Sequence, residues 1–301
     1  MKNERYGAFV KWAGGKSKLA PIIEKKIIES ISLDDVDTYV EPFLGGGSFF
    51  FYMIQKYNFK NKIISDINWE LINLYKVIQL TPEEFIVKLD EIQDNYNNLQ
   101  DLEEKSEFFY SVRKEYNDVL LNSNKGDIDI KQAVNFLFLN KLGFNGLYRV
   151  NLKGLYNVPF GKREKASLYN KENILGVSSL LSDVKILNCE YEKTFEYASR
   201  NTLFYFDPPY RPLSSSSSFT SYSKSSFNDN NQIELANFCK KIDRQGAKFA
   251  LSNSDPKNNN SNDNFFEDLY REFNINRIYA NRMIGAKTMS RGTVSEILVT
   301  N

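Results

Sequence analysis

Histidine is absent from this 301-residue sequence, and cysteine occurs only twice, as Cys189 and Cys239. Without histidine the chain has no His-based catalytic triad, no imidazole general base and none of the usual zinc hydrolase sites. Two cysteines are too few for a disulfide scaffold in a chain of this length, and they lack the spacing of zinc ligands. Any chemistry must therefore use carboxylates, amines, hydroxyls, aromatic rings or a bound cofactor.

Long apolar runs are missing as well. No run reaches the roughly 18 residues that a membrane span needs. The N-terminal stretch MKNERYGAFVKW has no apolar segment after Lys2, so it is not expected to be a secretory signal. The hydrophobic fraction of 42% and the charged fraction of 26% are typical of soluble globular proteins. The sequence thus predicts a cytoplasmic protein with one large domain or two.

Charge of one sign is not in excess, since the net charge is +1, but the charges are unevenly placed. Residues 81–107 carry nine acids and two lysines, whereas residues 141–166 carry six cations and one acid. A local basic patch on a neutral chain is typical of a surface that binds a polyanion. The alternative, a solvated basic loop, stays open at this point.

Three blocks follow one another along the chain. Residues 7–75 contain strand TYVEPF, helix SFFFYMIQKY, strand KIISDI and a helix from Trp69 to Gln79, an order typical of a βαβ unit. Residues 76–140 have acidic helical patterns, the first starting at Pro82. In residues 143–162, LYRV and LYNV flank NLKG, which predicts a hairpin.

Residues 165–301 return to an α/β pattern. VKILNC, NTLFYF and KFALSN predict strands, NNQIELANFCKKIDRQ predicts a helix, and INRIYANRM with SEILVT predicts an antiparallel pair. The polar stretch SSSSSFTSYSKSSFNDNN is too long for a tight turn and indicates either a linker or a loop beside a site. The helical block is therefore predicted to be inserted into one α/β domain.

The first motif is VEPFLGGGSFFF, in which Gly45–Gly47 stand between a predicted strand and a predicted helix. Such glycines let the backbone approach a ligand, and the amides of the helix N-terminus then face it. Asp66, 19 residues after Gly47, suits the hydroxyls of a ribose. The spacing is not G-x-G-x-x-G and there is no Walker lysine, which favours an adenosine ligand without phosphates. A plain tight turn is the alternative.

The second motif is FVKWAGGKSKL near the N-terminus. Trp12 offers a flat apolar face, and Lys16 offers a charge partner for a carboxylate. The alternative is a simple lead-in to the helix predicted over Lys18 to Ser30.

The third motif is Asp207-Pro208-Pro209-Tyr210, directly after the apolar run TLFYF. Two prolines stiffen the backbone and remove two N–H donors, so carbonyls near them stay free to accept hydrogen bonds. A rigid turn rich in acceptors beside a carboxylate is suited to hold an –NH2 group, and Tyr210 adds a ring on which a planar base can stack. The alternative is a strand that prolines simply terminate.

In this order the motifs resemble those of the Dam-type, alpha-group DNA adenine-N6 methyltransferases. The resemblance covers nearly the whole chain, through KWAGGK, VEPFLGGGS, SDINWELINLY, FNGLYRVN, NVPFG, DPPYRPLS, FTSY, LSNS and GAKTMSRGTVSEILVTN. The last of these is most similar to the Gram-positive branch that methylates GATC.

The resemblance implies a Rossmann-like, S-adenosylmethionine-dependent methyltransferase fold: a seven-stranded mixed sheet whose last strand is antiparallel, with an inserted helical target-recognition domain. The implied catalytic domain comprises residues 1–75 and 165–301, and the implied recognition domain comprises residues 76–164 with a hairpin at 148–160. The expected protein is bacterial or phage-encoded, binds double-stranded DNA but no membrane, and is a monomer or a weak dimer.

The resemblance also implies S-adenosylmethionine as methyl donor, S-adenosylhomocysteine as product, and no metal. Trp12 and Lys16 are expected at its methionine and carboxylate end, Asp66 at its ribose, and Asp207 between the cofactor and the target amine. The full implied cofactor-binding set is Trp12, Lys16, Phe43, Gly45, Gly47, Asp66 and Asp207.

For catalysis the resemblance implies three residues, Asp207, Pro208 and Tyr210. The Asp207 carboxylate and the Pro208 carbonyl would accept hydrogen bonds from the adenine amine, favour a more tetrahedral nitrogen and stabilise its developing positive charge. Tyr210 would stack on an adenine flipped out of the duplex. No covalent intermediate is needed, so Cys189 and Cys239 are expected to be buried fillers.

For DNA binding the resemblance implies an aromatic residue, Phe144, that fills the space left by the flipped base, and an arginine, Arg149, that hydrogen-bonds to guanine O6 and N7. Lys162 stands where a relative has arginine, so it is expected at a phosphate rather than a base. The full implied set is Lys11, Phe144, Asn145, Leu147, Arg149, Pro159 and Lys162. A second basic loop with Arg282, Lys287 and Arg291 either touches the DNA backbone or carries solvated charges.

Three alternatives to adenine methylation in GATC remain. An N4-cytosine methyltransferase uses a similar Pro-Pro turn but usually has serine where this chain has Asp207. An RNA methyltransferase commonly has asparagine there, and the hairpin-bearing insert argues against it. A catalytically inactive DNA-binding relative is disfavoured by the intact Asp207, Tyr210, Lys16 and Asp66. Whether the enzyme belongs to a restriction-modification system or acts alone, for example in DNA replication, depends on neighbouring genes.

Overall fold

A computed structural model describes residues 5–122, 128–212, 227–281 and 293–301. Their strands form one seven-stranded sheet with the order β3-β2-β1-β4-β5-β7-β6. The first five strands pair in parallel, and β7 is antiparallel to both β5 and β6. The predicted mixed sheet with an antiparallel last strand is confirmed. The strands are β1 Thr38–Glu41, β2 Asn61–Asp66, β3 Val184–Asn188, β4 Thr202–Phe206, β5 Lys248–Ser254, β6 Asn274–Asn281 and β7 Thr293–Thr300.

The central strands are buried on both faces, as parallel strands covered by helices are. All four residues of β1 and all five of β4 are buried. Val40 of β1 is level with Phe204 of β4 and with Ile63 of β2. The turns after β1, β2 and β4 therefore leave the sheet at the same carboxyl edge, which is where ligands bind in open α/β sheets.

Helices cover the sheet and begin at sequence signals. The Asn68 side chain accepts a hydrogen bond from Leu71 N at the start of α3, and Asn228 forms a capping box with Asn231 at the start of α8. Helices α7 and α9 are not predicted by the periodicity above, although Asn170 caps α7 in the same way. These helices are α1 Ala20–Ser30, α2 Ser48–Ile54, α3 Trp69–Leu80, α7 Lys171–Leu181, α8 Asp229–Arg244 and α9 Phe265–Leu269.

The acidic helical block comprises α4 Pro82–Asn97, α5 Leu102–Asn122 and α6 Ile130–Leu142. Helix α6 is buried nearly all round, with ten of its thirteen residues buried, and it packs against α3, α4 and α5. The block shares one hydrophobic core with the sheet, and α3 runs through the predicted domain boundary at residue 75. The division into two domains stays a prediction.

Residues 147–158 turn back on themselves after α6. Val150 and Tyr156 form an antiparallel bridge, and Asn157 N donates to the Arg149 carbonyl at 3.1 Å. At the tip, the Asn151 side chain accepts from Lys153 N at 2.9 Å, and Gly154 adopts φ +79°. The short hairpin thus has a closed, hydrogen-bonded tip. Within the described part of the chain, no helix is both long and apolar enough to cross a membrane.

Candidate active site

Asp66 ties the glycine turn to the end of β2. Its Oδ2 accepts from Gly45 N at 3.0 Å, and its Oδ1 accepts from Asn68 N at 2.9 Å. Burial raises the pKa of Asp66, and the backbone N–H groups oppose that rise. Each carboxylate oxygen can accept a second hydrogen bond, so Asp66 can hold the turn and still bind ligand hydroxyls.

The glycines of the turn are required by protein side chains as well as by backbone geometry. Gly45 and Gly47 have φ of +51° and +66°. A Cβ on Gly45 would lie 2.8 Å from Cδ1 of Trp12, and a Cβ on Gly47 would lie 2.6 Å from the Tyr75 hydroxyl oxygen. The sequence predicts that these glycines leave room for a ligand. At these two positions the structure instead places an indole ring and a phenol in that space.

Gly47→Ala should destabilise the protein by about 2 to 4 kcal/mol, because the new methyl group meets Tyr75 in a backbone region that favours glycine. Tyr75 also donates a hydrogen bond to the Gly45 carbonyl, so its displacement disturbs the rest of the turn. Urea unfolding followed by circular dichroism measures the loss. Gly7→Ala is the matched control, since a Cβ there meets nothing within 4 Å. Equal midpoints for the two variants would contradict this account of the turn.

Trp12 connects the glycine turn to the helical block. Its indole lies against Gly45 and Gly46 and stacks on Tyr148 of the hairpin, with ring centroids 5.2 Å apart at 25°. Phe136 of α6 packs against both rings, with its centroid 6.4 Å from that of Trp12 and 5.5 Å from that of Tyr148. Trp12 is therefore partly buried between the turn and the hairpin, and its role in binding a cofactor stays a prediction.

Lys16 lies at the centre of the site. Its side chain is nearly fully buried, and Nζ lies 2.8 Å from Asp207 Oδ1 and 2.8 Å from the Gly14 carbonyl. The ammonium is also 4.7 Å from the centroid of the Tyr210 ring, within the range of a cation–π contact. The sequence predicts a ligand carboxylate as partner of Lys16. The structure pairs it with a carboxylate of the third motif.

Asp207 follows β4 at the carboxyl edge and keeps 22% of its side chain exposed. Burial raises the pKa of Asp207, while the charge of Lys16 pulls that pKa down. Glu41 ends the neighbouring strand β1 and is only 3% exposed; it accepts a hydrogen bond from the Tyr39 hydroxyl. Burial, and then the charge of Asp207, raise the pKa of Glu41 well above its usual range. The sequence motifs assign Glu41 no role, although an acid that ends a core strand is itself a signal.

Hydrogen bonds with helix α8 and strand β5 fix the Asp-Pro-Pro-Tyr corner. The Pro209 carbonyl accepts from Gln232 Nε2 of α8 at 3.1 Å, and Gln232 in turn accepts from Asn253 of β5. Asn253 also accepts from Arg211 N at 3.1 Å. The Pro209 carbonyl, which the sequence predicts to be free, therefore already accepts a hydrogen bond within the protein. Of the two prolines, the buried Pro208 is then the one whose carbonyl suits a ligand amine. Neither Gln232 nor Asn253 is found by sequence reasoning, because their partners are distant in the chain.

Tyr210 is contacted at its ring and at its hydroxyl. Lys16 lies near the ring, and the hydroxyl donates to Glu296 Oε2 of β7 at 2.7 Å. Burial and the nearby Asp207 and Glu296 carboxylates raise the pKa of Tyr210 well above its usual range, so the phenol stays neutral.

Phe43, between β1 and the glycine turn, is half-buried and packs in an aromatic group. Its ring lies 5.3 Å from Tyr191, 5.9 Å from Phe227 and 6.4 Å from Phe206. This group forms one apolar wall beside the turn.

The two cysteines fit the role of fillers. Cys239 is fully buried in α8 and Cys189 is partly buried after β3. Burial raises the pKa of both thiols, which disfavours a thiolate nucleophile.

The residues predicted to bind DNA lie on the hairpin and on the turns that flank it. Phe144 is 52% exposed and begins a short 3-10 turn in which Asn145 has φ +56°. Gly146 of that turn packs against the Lys11 side chain, while the Asn140 side chain hydrogen-bonds both the N–H and the C=O of Lys11. Leu147 is half-buried, and Asn145, Arg149, Pro159, Lys162 and Lys11 are exposed.

Arg149 is held by its own hairpin. Its Nε donates to Asn157 Oδ1 at 2.8 Å, and its Nη2 donates to the Asn157 carbonyl at 3.2 Å. Burial, and then the charge of the nearby Lys11, lower the pKa of Lys141. The surface next to the site is thus basic. Arg282, Lys287, Arg291 and the FTSY segment lie outside the described residues.

Three features therefore meet at the carboxyl edge of the sheet: the glycine turn bound by Asp66, the ion pair between Lys16 and Asp207, and the Asp-Pro-Pro-Tyr corner. Such a site is typical of an α/β enzyme that acts on a nucleotide-like ligand. In the portion of the chain that the structure covers, no group of three or more acidic, histidine or cysteine side chains is arranged to hold a metal ion. The family model for D12 class N6 adenine-specific DNA methyltransferases matches residues 12–284. The chain belongs to this family, and is an adenine-specific, S-adenosylmethionine-dependent DNA methyltransferase.

Relatives match over almost the whole chain. The type II methyltransferase M.MjaIII of Methanocaldococcus jannaschii is 44% identical over 97% of this chain and 98% of its own length. The type II methyltransferase M1.LlaDCHI of Lactococcus lactis subsp. cremoris is 35% identical, over 97% of this chain and 94% of its own. The DNA adenine methylase of Escherichia coli K12 is 31% identical, over 99% and 95%. The similarity therefore spans nearly the full length of each of these relatives.

Proposed function

We propose that the protein methylates N6 of adenine in the duplex sequence GATC, and that the adenine is flipped out of the helix to reach the site. The observation that carries this proposal is the position of Asp207. Its carboxylate lies in contact with Lys16, at the same sheet edge as the glycine turn held by Asp66. An acceptor for the amine and the glycine turn proposed to bind the methyl donor therefore lie at one edge of the sheet.

The residues present fit S-adenosylmethionine. Asp66 suits the ribose hydroxyls, the Phe43 wall suits the adenine ring, and Lys16 suits the carboxylate. The Asp207 carboxylate suits the positive charge of the sulfonium. When bound, this cofactor supplies an electrophilic methyl group.

The protein's own contribution is to hold the amine. Asp207 Oδ and the Pro208 carbonyl accept its two N–H groups, which directs the nitrogen lone pair away from the protein acceptors and stabilises the positive charge that grows on the nitrogen. Fixing the nitrogen in line with the methyl group contributes further to the rate. The corner is rigid because Gln232 and Asn253 fasten it, so little reorganisation is needed. The proton that the nitrogen loses after transfer leaves to solvent.

Recognition of DNA falls to the basic surface next to the site. The exposed Phe144 fills the gap left by the flipped base, with Asn145 beside it, and Arg149 binds a guanine through its guanidinium group. Leu147 and Pro159 contact the thymine methyl group, while Lys11 and Lys162 bind phosphates. Residues 76–164 act as the recognition domain in this proposal. Because the substrate is DNA, a cytoplasmic location follows.

The test of function is the nature of the methylated base. The purified protein is incubated with tritiated-methyl S-adenosylmethionine and duplexes with or without GATC, and the DNA is digested to nucleosides. Label in N6-methyl-2′-deoxyadenosine from the GATC duplex alone is expected. Label in N4-methyl-2′-deoxycytidine would overturn the proposed chemistry, and equal label in both duplexes would overturn the proposed target sequence.

Arg149→Ala should relax sequence discrimination. The ratio of kcat/KM between GATC and a duplex with one terminal G·C pair replaced should fall by about 10- to 100-fold, as for the loss of one bidentate guanine contact. Steady-state kinetics on both duplexes measures it. Arg163 is an exposed arginine of the same segment. Arg163→Ala should lower kcat/KM similarly for both duplexes and so preserve their ratio. An unchanged ratio in Arg149→Ala would contradict the assignment of Arg149.

The biological setting remains a prediction. Two relatives are named type II methyltransferases, which favours partnership with a restriction enzyme, whereas others are named DNA adenine methylases. The Gram-positive assignment of the C-terminal tail also stays a prediction, since an archaeal relative is 44% identical.

A further inference from the structure

We propose that Glu296 is a positioning residue of the reaction: through the Tyr210 hydroxyl it fixes the ring on which the target base stacks. The inference rests on the proposed function of the corner. It concerns a residue of the last strand, far in sequence from all three motifs.

The contact is a charge-assisted hydrogen bond. The Tyr210 hydroxyl donates to Glu296 Oε2 at 2.7 Å, a distance typical of such bonds. Glu296 is paired in register with Ser254 of β5, and Ser254 Oγ donates to the Arg211 carbonyl at 2.7 Å. Neighbouring positions on two adjacent strands therefore hold the corner at Tyr210 and at the next residue.

A glutamate at this place is unusual for the strand. Residues 295 and 297–300 of β7 are buried, and Glu296 is the charged residue among them. A carboxylate in such a strand loses hydration and needs a polar partner to compensate. The phenol of Tyr210 is that partner, so the carboxylate is placed where it serves the corner rather than the sheet.

A base can stack on the Tyr210 ring only if the ring has a defined orientation. The hydroxyl lies at the end of the ring that is farthest from the backbone. The backbone fixes the near end of Tyr210, and two side-chain torsions remain. Anchoring the hydroxyl on β7 removes that freedom, while Lys16 contacts both the ring and Asp207. The stacking surface and the amine acceptor are then fixed relative to each other, as positioning catalysis requires.

The test is a double-mutant cycle. Tyr210→Phe removes the hydroxyl and keeps the ring, Glu296→Leu removes the acceptor, and Glu296→Gln keeps an acceptor of the same size. Each of the first two is expected to lower kcat about 10-fold, with the KM for S-adenosylmethionine within twofold of wild type. The double variant is expected to be no worse than either single variant, and Glu296→Gln to stay within about threefold of wild type. Fluorescence of 2-aminopurine at the target position reports stacking on the ring independently of turnover.

Glu196→Leu is the matched control. Glu196 is an exposed glutamate next to Tyr197 at the opposite, amino-terminal edge of the strands, and its loss should leave kcat unchanged. A double variant that loses about 100-fold, or a Glu296→Leu variant equal to wild type, overturns the positioning role. If the wild-type protein makes N6-methyladenine but the variants give either of these overturning results, only the positioning role of Glu296 is rejected. A wild type that methylates no adenine overturns both proposals.

Discussion

Replacing Asp207 with asparagine should lower the rate of methyl transfer to adenine about 10³-fold while the protein stays folded. The substitution keeps the size of the side chain and removes its charge and one acceptor. Losing a preorganised partner of developing charge typically costs 10²- to 10³-fold, and Asp207 is also the ion-pair partner of Lys16. Single-turnover transfer to a GATC duplex measures the chemical step directly.

Asp183→Asn is the control for Asp207→Asn. Asp183 also pairs with a lysine, Lys62, but the pair lies at the opposite edge of the sheet. Its loss should leave the rate unchanged. If Asp207→Asn retains more than a tenth of the wild-type rate, the corner is not the place where the amine is held.

The wild-type rate should also depend on pH through Asp207. Burial raises the pKa of this carboxyl in the folded protein, so protonation begins at a higher pH than for an ordinary aspartate. The protonated form is a poorer acceptor, so activity is lost as the pH falls through that raised pKa. The same shift means that the folded state binds the proton more tightly than the unfolded state, so its contribution to stability declines as the pH rises across this window.

Sequence patterns could predict the sheet and the three turns of the site, because these depend on short-range features. The apolar run TLFYF must be a core strand, and the corner after it must lie at the carboxyl edge of the sheet. Asp66 and Asp207 could be assigned to one edge for the same reason. Those assignments needed only strand order and chain direction.

The partners of these residues could not be predicted. Gln232 and Glu296 reach the site through helix packing and strand register, which a local pattern does not contain. The same holds for the glycine turn. Its three glycines indicate that another group lies close to the backbone, but only the structure shows that these groups are the side chains of Trp12 and Tyr75.

Replacing Lys16 with methionine should have two effects. It should lower kcat/KM for S-adenosylmethionine about 10- to 100-fold, and it should shift the pH profile of kcat. The ammonium is nearly fully buried and lies between Asp207 and the Gly14 carbonyl, so a ligand carboxylate that binds it competes with Asp207. Losing one charged hydrogen bond of this kind costs about 1.5–3 kcal/mol, which sets the range for kcat/KM of S-adenosylmethionine.

The shift in pH profile follows from the same ion pair. Lys16 lowers the pKa of Asp207, so without it the carboxyl is protonated at a still higher pH. The acidic limb of kcat should therefore move to higher pH in Lys16→Met than in wild type. Lys62→Met removes the paired lysine at the far edge and should change neither quantity. A weaker cofactor interaction with an unmoved acidic limb would mean that Lys16 acts on the cofactor alone, and that its contact with Asp207 has no part in turnover.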